Sequence, residues 1–403
     1  MPKTSLTPAA QLADRILRAA QKARSEEDLK IAVESSIAKA LADLGVELTP
    51  EYEKTILKGS ADAVYGHVVI EYEKPGKLAK DAGRTETIGQ LTRYLLGQTA
   101  KQGEKQAEAL GKMIGVSLDG QQILFVRHTT TERGREFSLP GLPGGQLTLL
   151  EEKSVRGRFQ VFGPYAVNDD SIGVFLLYLR SLARKPLTPE ALARDFGPSG
   201  DVAGTLVGAL HNALKDHLDR PGVATFFNEW ERLFGIVYGE ELGKAEADAK
   251  ELAKLYRLPG KLELKPLLFT VHTYYALLMK FLAVELISLQ GGMLVTSFAS
   301  DLPALSEAEL KAKLTDLEDG GLFNKLGIVN FLEGDFFRWY LGAWGKDLAA
   351  ALRQFAQTLA QFEPATSTLE PDSTRDLLKK LYQYLIHKSL RHDLGEYYTP
   401  DWL

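Results

Sequence analysis

GSADAVYGHVVIEYEKPGKL, Gly59 to Leu78, is the stretch on which the fold turns. Short apolar runs with alternation fall at 61–65 and 67–73, separated by Gly66, as expected of two strands joined by a tight turn. Side chains on a strand alternate between faces. Val68, Ile70 and Tyr72 therefore point one way and suit a core, while Val69, Glu71 and Glu73 point the other. A turn at Gly66 brings Asp62, on the preceding strand, alongside them. Three convergent carboxylates suit magnesium, which takes hard oxygen ligands and keeps several waters. Such an ion makes a bound water nucleophilic and stabilises the charge that develops on a phosphodiester. Without a cation, close carboxylates repel and some take up protons. Glutamate at alternate strand positions also describes a solvated face, so the surroundings decide.

Working outward, 8–24 and 27–44 read as helices, the second with an apolar stripe of Ile31, Val33, Ile37, Leu41 and Leu44. Downstream, Asp81 to Met113 has no proline and carries Ile88, Leu91 and Leu95 at helical spacing. Gln90 and Tyr94, four apart, share a face of that helix, with Glu86 one turn earlier. Met113 to Arg127 places two apolar runs around Asp119-Gly120, a strong hairpin signal. Strand-like segments follow at 135–139, 145–150 and 157–162, interrupted by the Gly/Pro-rich loop 140–145. This is an α/β layer pattern. After Asp169 the chain reads as helical, with breaks near Pro186, Pro198, Pro221, Pro259 and Gly291-Gly292. The expected division is an α/β domain over 1–165, a helical connector over 166–260 and a second helical region over 261–403.

Asp62, then Glu71-x-Glu73 on a strand, then Gln90-x-x-x-Tyr94 on a helix, resembles the PD-(D/E)XK nuclease superfamily, in particular its RecB-like branch. The resemblance covers about 25–130. It implies a PD-(D/E)XK nuclease-like α/β fold and magnesium-dependent cleavage of double-stranded DNA. Asp62 and Glu71 match the two acidic residues of the motif, Gln90 and Tyr94 the QxxxY signature, and Glu34 the acidic residue that often precedes it. Glu73 stands where lysine is usual. Lys74 does not replace it, because the next strand residue faces the other way. The resemblance therefore leaves two forms open: an active site with Glu73 as an extra magnesium ligand, or an inactive nuclease-like module that positions DNA or a partner.

The last residues, HKSLRHDLGEYYTPDWL, pair a basic helix end and Gly395 with a helix-start signal at Thr399-Pro400. LGEYYTP resembles the cofactor-pocket motif of adenine-specific DNA methyltransferases that carry it after an N-terminal helical region. The stretches Val271 to Ser288 and Asp335 to Leu341 resemble that helical lead-in. The resemblance implies that Gly395, Tyr397, Tyr398, Thr399 and Pro400 line an S-adenosylmethionine pocket in a complete enzyme. The chain has neither an Asp/Asn-Pro-Pro-aromatic string nor a glycine-rich cofactor loop, so methyl transfer is not expected of it alone. Together the two resemblances imply the front of a restriction–modification fusion of the type IIG kind, in the setting of phage defence. Its methyltransferase and target-recognition parts would lie beyond Leu403 or on another chain.

The composition bounds this reading. The net charge of -5 neither implies nor excludes local basic grooves. The absence of cysteine removes disulfides, thiolate zinc sites and a Cys nucleophile, and fits a cytoplasmic protein. Pro266 to Leu289 is the most apolar stretch, but His272, Lys280 and Glu285 make it a core helix rather than a membrane span. No P-loop, HExxH or nucleophile elbow is present. His211 and His217 lie six apart, on different helix faces. Phe336, Phe337, Trp339 and Tyr340 are expected in a core. Lys101, Lys105, Lys112, Lys153, Arg156 and Arg158 are candidate phosphate contacts.

Overall fold

The structure is a computed structural model. It describes residues 7–56, 59–129, 139, 142, 150–151, 158–238, 245–290, 297–325, 327–328, 336–366, 377 and 380–381. Its contacts divide these into two units, one built from Met1–Lys185 and one from Pro186–Gly291 with Thr296–Ser367.

The first unit opens with helices α1 (Pro8–Lys22) and α2 (Glu26–Asp43). Each has a sequence-encoded start. Thr7 accepts from the Ala10 N–H with Pro8 at the first helical position, and Ser25 and Asp28 form a reciprocal capping box. Strands β1 (Glu51–Ile56), β2 (Gly59–Tyr65) and β3 (Val68–Tyr72) form an antiparallel meander. Helix α3 (Asp81–Thr99), a 3-10 turn over Ala100–Lys105 and α4 (Gln106–Lys112) lead to β4 (Ile114–Leu118), which runs parallel to β3. The single helix expected over 81–113 is thus broken. Gly103 has φ 57, which an α-helix cannot accommodate. Strand β5 (Gln122–Thr129) returns from the Asp119-Gly120 turn, and β6 (Leu150–Glu151) and β7 (Arg158–Ala166) complete the sheet. The order β1-β2-β3-β4-β5-β7-β6 makes it mixed. Of the expected strand segments, 135–138 and 145–149 lie outside the described residues.

One face of this sheet packs on α3. Val69, Leu91, Leu95, Leu124, Val126 and Phe159 form a common buried cluster. Each fully buried leucine there is worth about 2 kcal/mol. Gly115 permits the approach, since a Cβ on it would lie 3.3 Å from Leu91. Helix α5 (Asp169–Ala183) belongs to this unit too. It packs on α1, the Thr7 hydroxyl donates to Asp169, and Tyr178 lies against Phe125 of β5. That packing moves the division to Lys185/Pro186, past the break read near 165.

The second unit is helical. Helices α6 (Pro189–Phe196), α7 (Asp201–His217), α8 (Pro221–Tyr238), α9 (Ala245–Leu255) and α10 (Leu264–Gln290) are followed by α11 (Phe298–Asp301), α12 (Glu307–Glu318), α13 (Gly321–Lys325) and α14 (Lys346–Leu359). The break at Pro259 separates α9 from α10 without dividing the unit. Among the described residues, α10 alone is long and apolar enough to cross a membrane, but 72% of the relevant window is buried inside the protein. Its ionisable groups are satisfied internally. The Lys280 ammonium lies 2.5 Å from Glu318, and Glu285 accepts from the Ser297 hydroxyl and the Ala299 N–H. The Trp230 indole donates to His272 Nδ1, and that of Trp339 to the Thr273 hydroxyl. Trp339 and Tyr340 are fully buried and Phe336 and Phe337 pack against them, as expected of core aromatics.

Candidate functional site

The meander builds the site. Tyr65 pairs with Val68 across Gly66, whose φ of 51 suits the tight turn. Continuing that register sets Asp62 on β2 opposite Glu71 on β3, so both share the face that carries Val69. Asp62 is fixed by backbone, its Oδ2 accepting from the Tyr72 N–H at 2.9 Å. Its Oδ1 lies 3.3 Å from the Lys30 ammonium, which also binds Glu53 at 2.7 Å. Burial opposes the charge on Lys30, but Glu53 and Asp62 outweigh it and hold its pKa above the usual range.

Glu71 is buried, and its Oε2 has no hydrogen-bond partner. Its pKa is pushed up to about 8, first by burial and then by the charges of Asp62, Glu73 and Glu26. Beside it in the parallel register stands Ser117 of β4, whose buried hydroxyl is also unpartnered. Glu73, just past β3, is buried but fully engaged. The Thr87 hydroxyl of α3 donates to one oxygen, and the Lys77 ammonium lies 2.8 Å from the other. Lys77 also reaches Glu86 at 3.5 Å. Burial works against the charge on Lys77, but Glu73 and Glu86 raise its pKa overall.

Helix α3 brings the other predicted residues to this face. The Gln90 Oε1 is buried without a partner. The Tyr94 hydroxyl is raised by burial and then by the charges of Glu71 and Asp62. Glu34 is placed elsewhere. Its carboxylate accepts from the hydroxyls of Tyr65 and Tyr72, each at 2.5 Å, and from Tyr52 at 3.1 Å. Tyr72 faces away from Glu71 on β3, so Glu34 ties α2 to the opposite face of the meander.

Sequence reasoning missed three groups. Glu26, in the first turn of α2, is raised by burial and by Glu73 and Asp62, which sets it near the same carboxylates that Glu34 was expected to join. Lys30 and Lys77 supply the positive charge that the Glu71-x-Glu73 spacing lacks. The signal for the helix residues was available, since Glu26, Lys30 and Glu34 recur every four residues along α2. Nothing local marks Lys77, which acts through the fold of the 74–78 loop. That loop is held by Asp119, which accepts from the Leu78 N–H at 3.0 Å.

Among the described residues, no three His, Asp or Glu side chains stand as a ready metal-ligand group. Asp62 and Glu73 stand close enough to Glu71 to raise its pKa, and each is also held by a lysine, Lys30 and Lys77 respectively. A divalent ion still fits between Asp62 and Glu71, because Glu71 keeps an unpartnered buried oxygen. Magnesium needs only one or two carboxylates, with waters and a phosphate completing its shell. Residues 395–400 lie outside the described residues. Of the six candidate phosphate contacts, Lys101, Lys105, Lys112 and Arg158 are exposed, and Lys153 and Arg156 lie outside the described residues.

No known protein-family model, curated protein or solved structure matches this chain.

Proposed function

We propose that the first unit is a magnesium-dependent DNA endonuclease domain of the PD-(D/E)XK kind. The observation that carries this is the Asp62–Glu71 pair on adjacent strands, with an unpartnered buried carboxylate oxygen and lysines on either side. Asp62 and Glu71 would hold the ion. The bound ion would supply a water nucleophilic at neutral pH. Lys30 and Lys77 are placed to balance the charge of a scissile phosphate, and Lys77 takes the role that a lysine at position 73 would have had. Gln90 and Tyr94 orient the pair from α3. The helical unit and the string Gly395 to Pro400 are read as the approach to an adenine-specific methyltransferase.

The test is cleavage of unmethylated plasmid by the purified chain with magnesium or manganese, beside Asp62→Asn, Glu71→Gln and Lys77→Met. Cleavage that falls at least a hundredfold in the first two variants, with the fold kept, supports the assignment. Cleavage that survives in both removes it. A second reading is a nuclease-like module without activity, favoured by the ion pairs that already neutralise Asp62 and Glu73. It predicts DNA binding without cleavage in either metal, also when the chain is extended through a methyltransferase domain.

A further inference from the structure

The end of α9 and the loop after it enclose a groove of about 740 Å³ in the second unit. Lys250, Lys254, Arg257 and Lys261 line it, and among the described residues no acidic side chain does. All four are exposed, whereas Ala253 beneath them is buried and Leu258 and Leu262 are half-buried. The groove therefore has a cationic rim and an apolar floor. It concentrates positive charge on a chain whose net charge is -5.

We infer that this groove docks the phosphodiester backbone of a nucleic-acid strand. Spacing is the first argument. Lys250 and Lys254 lie one helical turn apart on α9, and Arg257 and Lys261 follow along the chain beyond its end, so four cations recur along one groove. Such a row meets successive phosphates rather than one compact anion. The lining is the second argument. Among the described residues it offers no aromatic ring to stack a base and no side-chain amide or carboxylate to read one, so it suits backbone rather than sequence. The apolar floor suits the sugar.

Arg257 adds an independent observation. The Leu258 N–H donates to the Ala253 carbonyl and the Arg257 N–H to that of Lys254, the two bonds of a Schellman helix end. Arg257 occupies the left-handed position of that motif with φ 56, where glycine is the residue without strain. The strained position carries a guanidinium into the groove. Its ion pair with Asp201, at 2.7 Å between largely exposed side chains, is weak enough to yield to a phosphate.

This inference is independent of the nuclease reading, and its test involves no cleavage. The full chain is titrated in EDTA against a short labelled duplex oligonucleotide over a range of salt, followed by fluorescence anisotropy. The comparison set is Lys250→Gln/Lys254→Gln, Arg257→Gly, and a control in which the exposed Lys265 and Lys325 are changed to Gln. The salt slope falls by about two in the double variant and by about one in Arg257→Gly. The control keeps the parent slope. Arg257→Gly, by relieving the backbone, leaves the melting temperature unchanged or higher, so its loss of binding cannot come from unfolding. Unchanged slopes in both groove variants, or no duplex binding by the parent chain, overturn the inference. So does a groove that takes millimolar inorganic phosphate while duplex binding is unaffected.

Discussion

Glu71 costs the first unit stability at the pH where it would act. Its folded pKa of about 8 lies above the ordinary 4.5, so the native state keeps a proton that the unfolded chain gives up. Stability is then full below pH 4.5 and declines as pH rises through 8. A neutral isostere has no such slope. Glu71→Gln is expected to stabilise the unit in EDTA, by at most about 3 kcal/mol at neutral pH and by nothing near pH 4, as read from urea melts at several pH values. A gain that is the same at every pH would show that Glu71 is not protonated in the native state. His272 titrates in the other sense. Burial lowers its pKa from 6.5 to about 4, so its contribution is full above pH 6.5 and declines as pH falls through about 4. His272→Gln should flatten the acid limb of the second unit's stability profile, and an unchanged limb would remove the assignment.

At the scale of elements, two buried carboxylates hold helices in place. Glu34 gathers the Tyr52, Tyr65 and Tyr72 hydroxyls from β1, β2 and β3 onto α2. Glu34→Leu strands the two fully buried phenols, and the expected loss is about 2–4 kcal/mol in chemical denaturation, with loss under 1 kcal/mol counting against the clamp. Glu318 of α12 receives Lys280 from α10 and the Tyr340 hydroxyl. Lys280→Met leaves that carboxylate buried without its ammonium and should cost about 3–5 kcal/mol, whereas Lys280→Met with Glu318→Gln should recover most of it. These elements also show what the sequence could convey. Alternation around Gly66 located β2, β3 and the Asp62–Glu71 pair, because a two-residue period and a tight turn are local properties. The Asp119-Gly120 hairpin was legible for the same reason. The break in 81–113 was not, because Gly103 lies in an otherwise helix-favouring run and a lone glycine does not announce its positive φ. Strand β1 was also missed, since EYEKTI has only a weak apolar alternation and gains its identity by pairing with β2. The choice between Glu26 and Glu34 was the hardest. Both lie on one helix face, and only the position of α2 on the meander decides which reaches Asp62.

At the scale of the molecule, each unit has its own buried cluster, the sheet and α3 in one and the helices around α10 in the other. A fragment ending at Lys185 is therefore expected to melt cooperatively by circular dichroism, and a gradual, featureless melt would show that the first unit depends on the remainder. The tryptophans are divided as sharply as the cores. All four tryptophans lie beyond Pro186, at positions 230, 339, 344 and 402, with Trp230 and Trp339 inside the helical core. The sheet unit instead holds Tyr65 and Tyr72 against the Glu34 carboxylate, an arrangement that quenches phenol emission. The chain thus carries two intrinsic optical reporters. Excitation at the red edge of the indole band reports only on the chain beyond Pro186, and release of Tyr65 and Tyr72 from Glu34 adds tyrosine emission from the sheet. Two colours of native fluorescence can time the opening of each unit separately in an unlabelled protein.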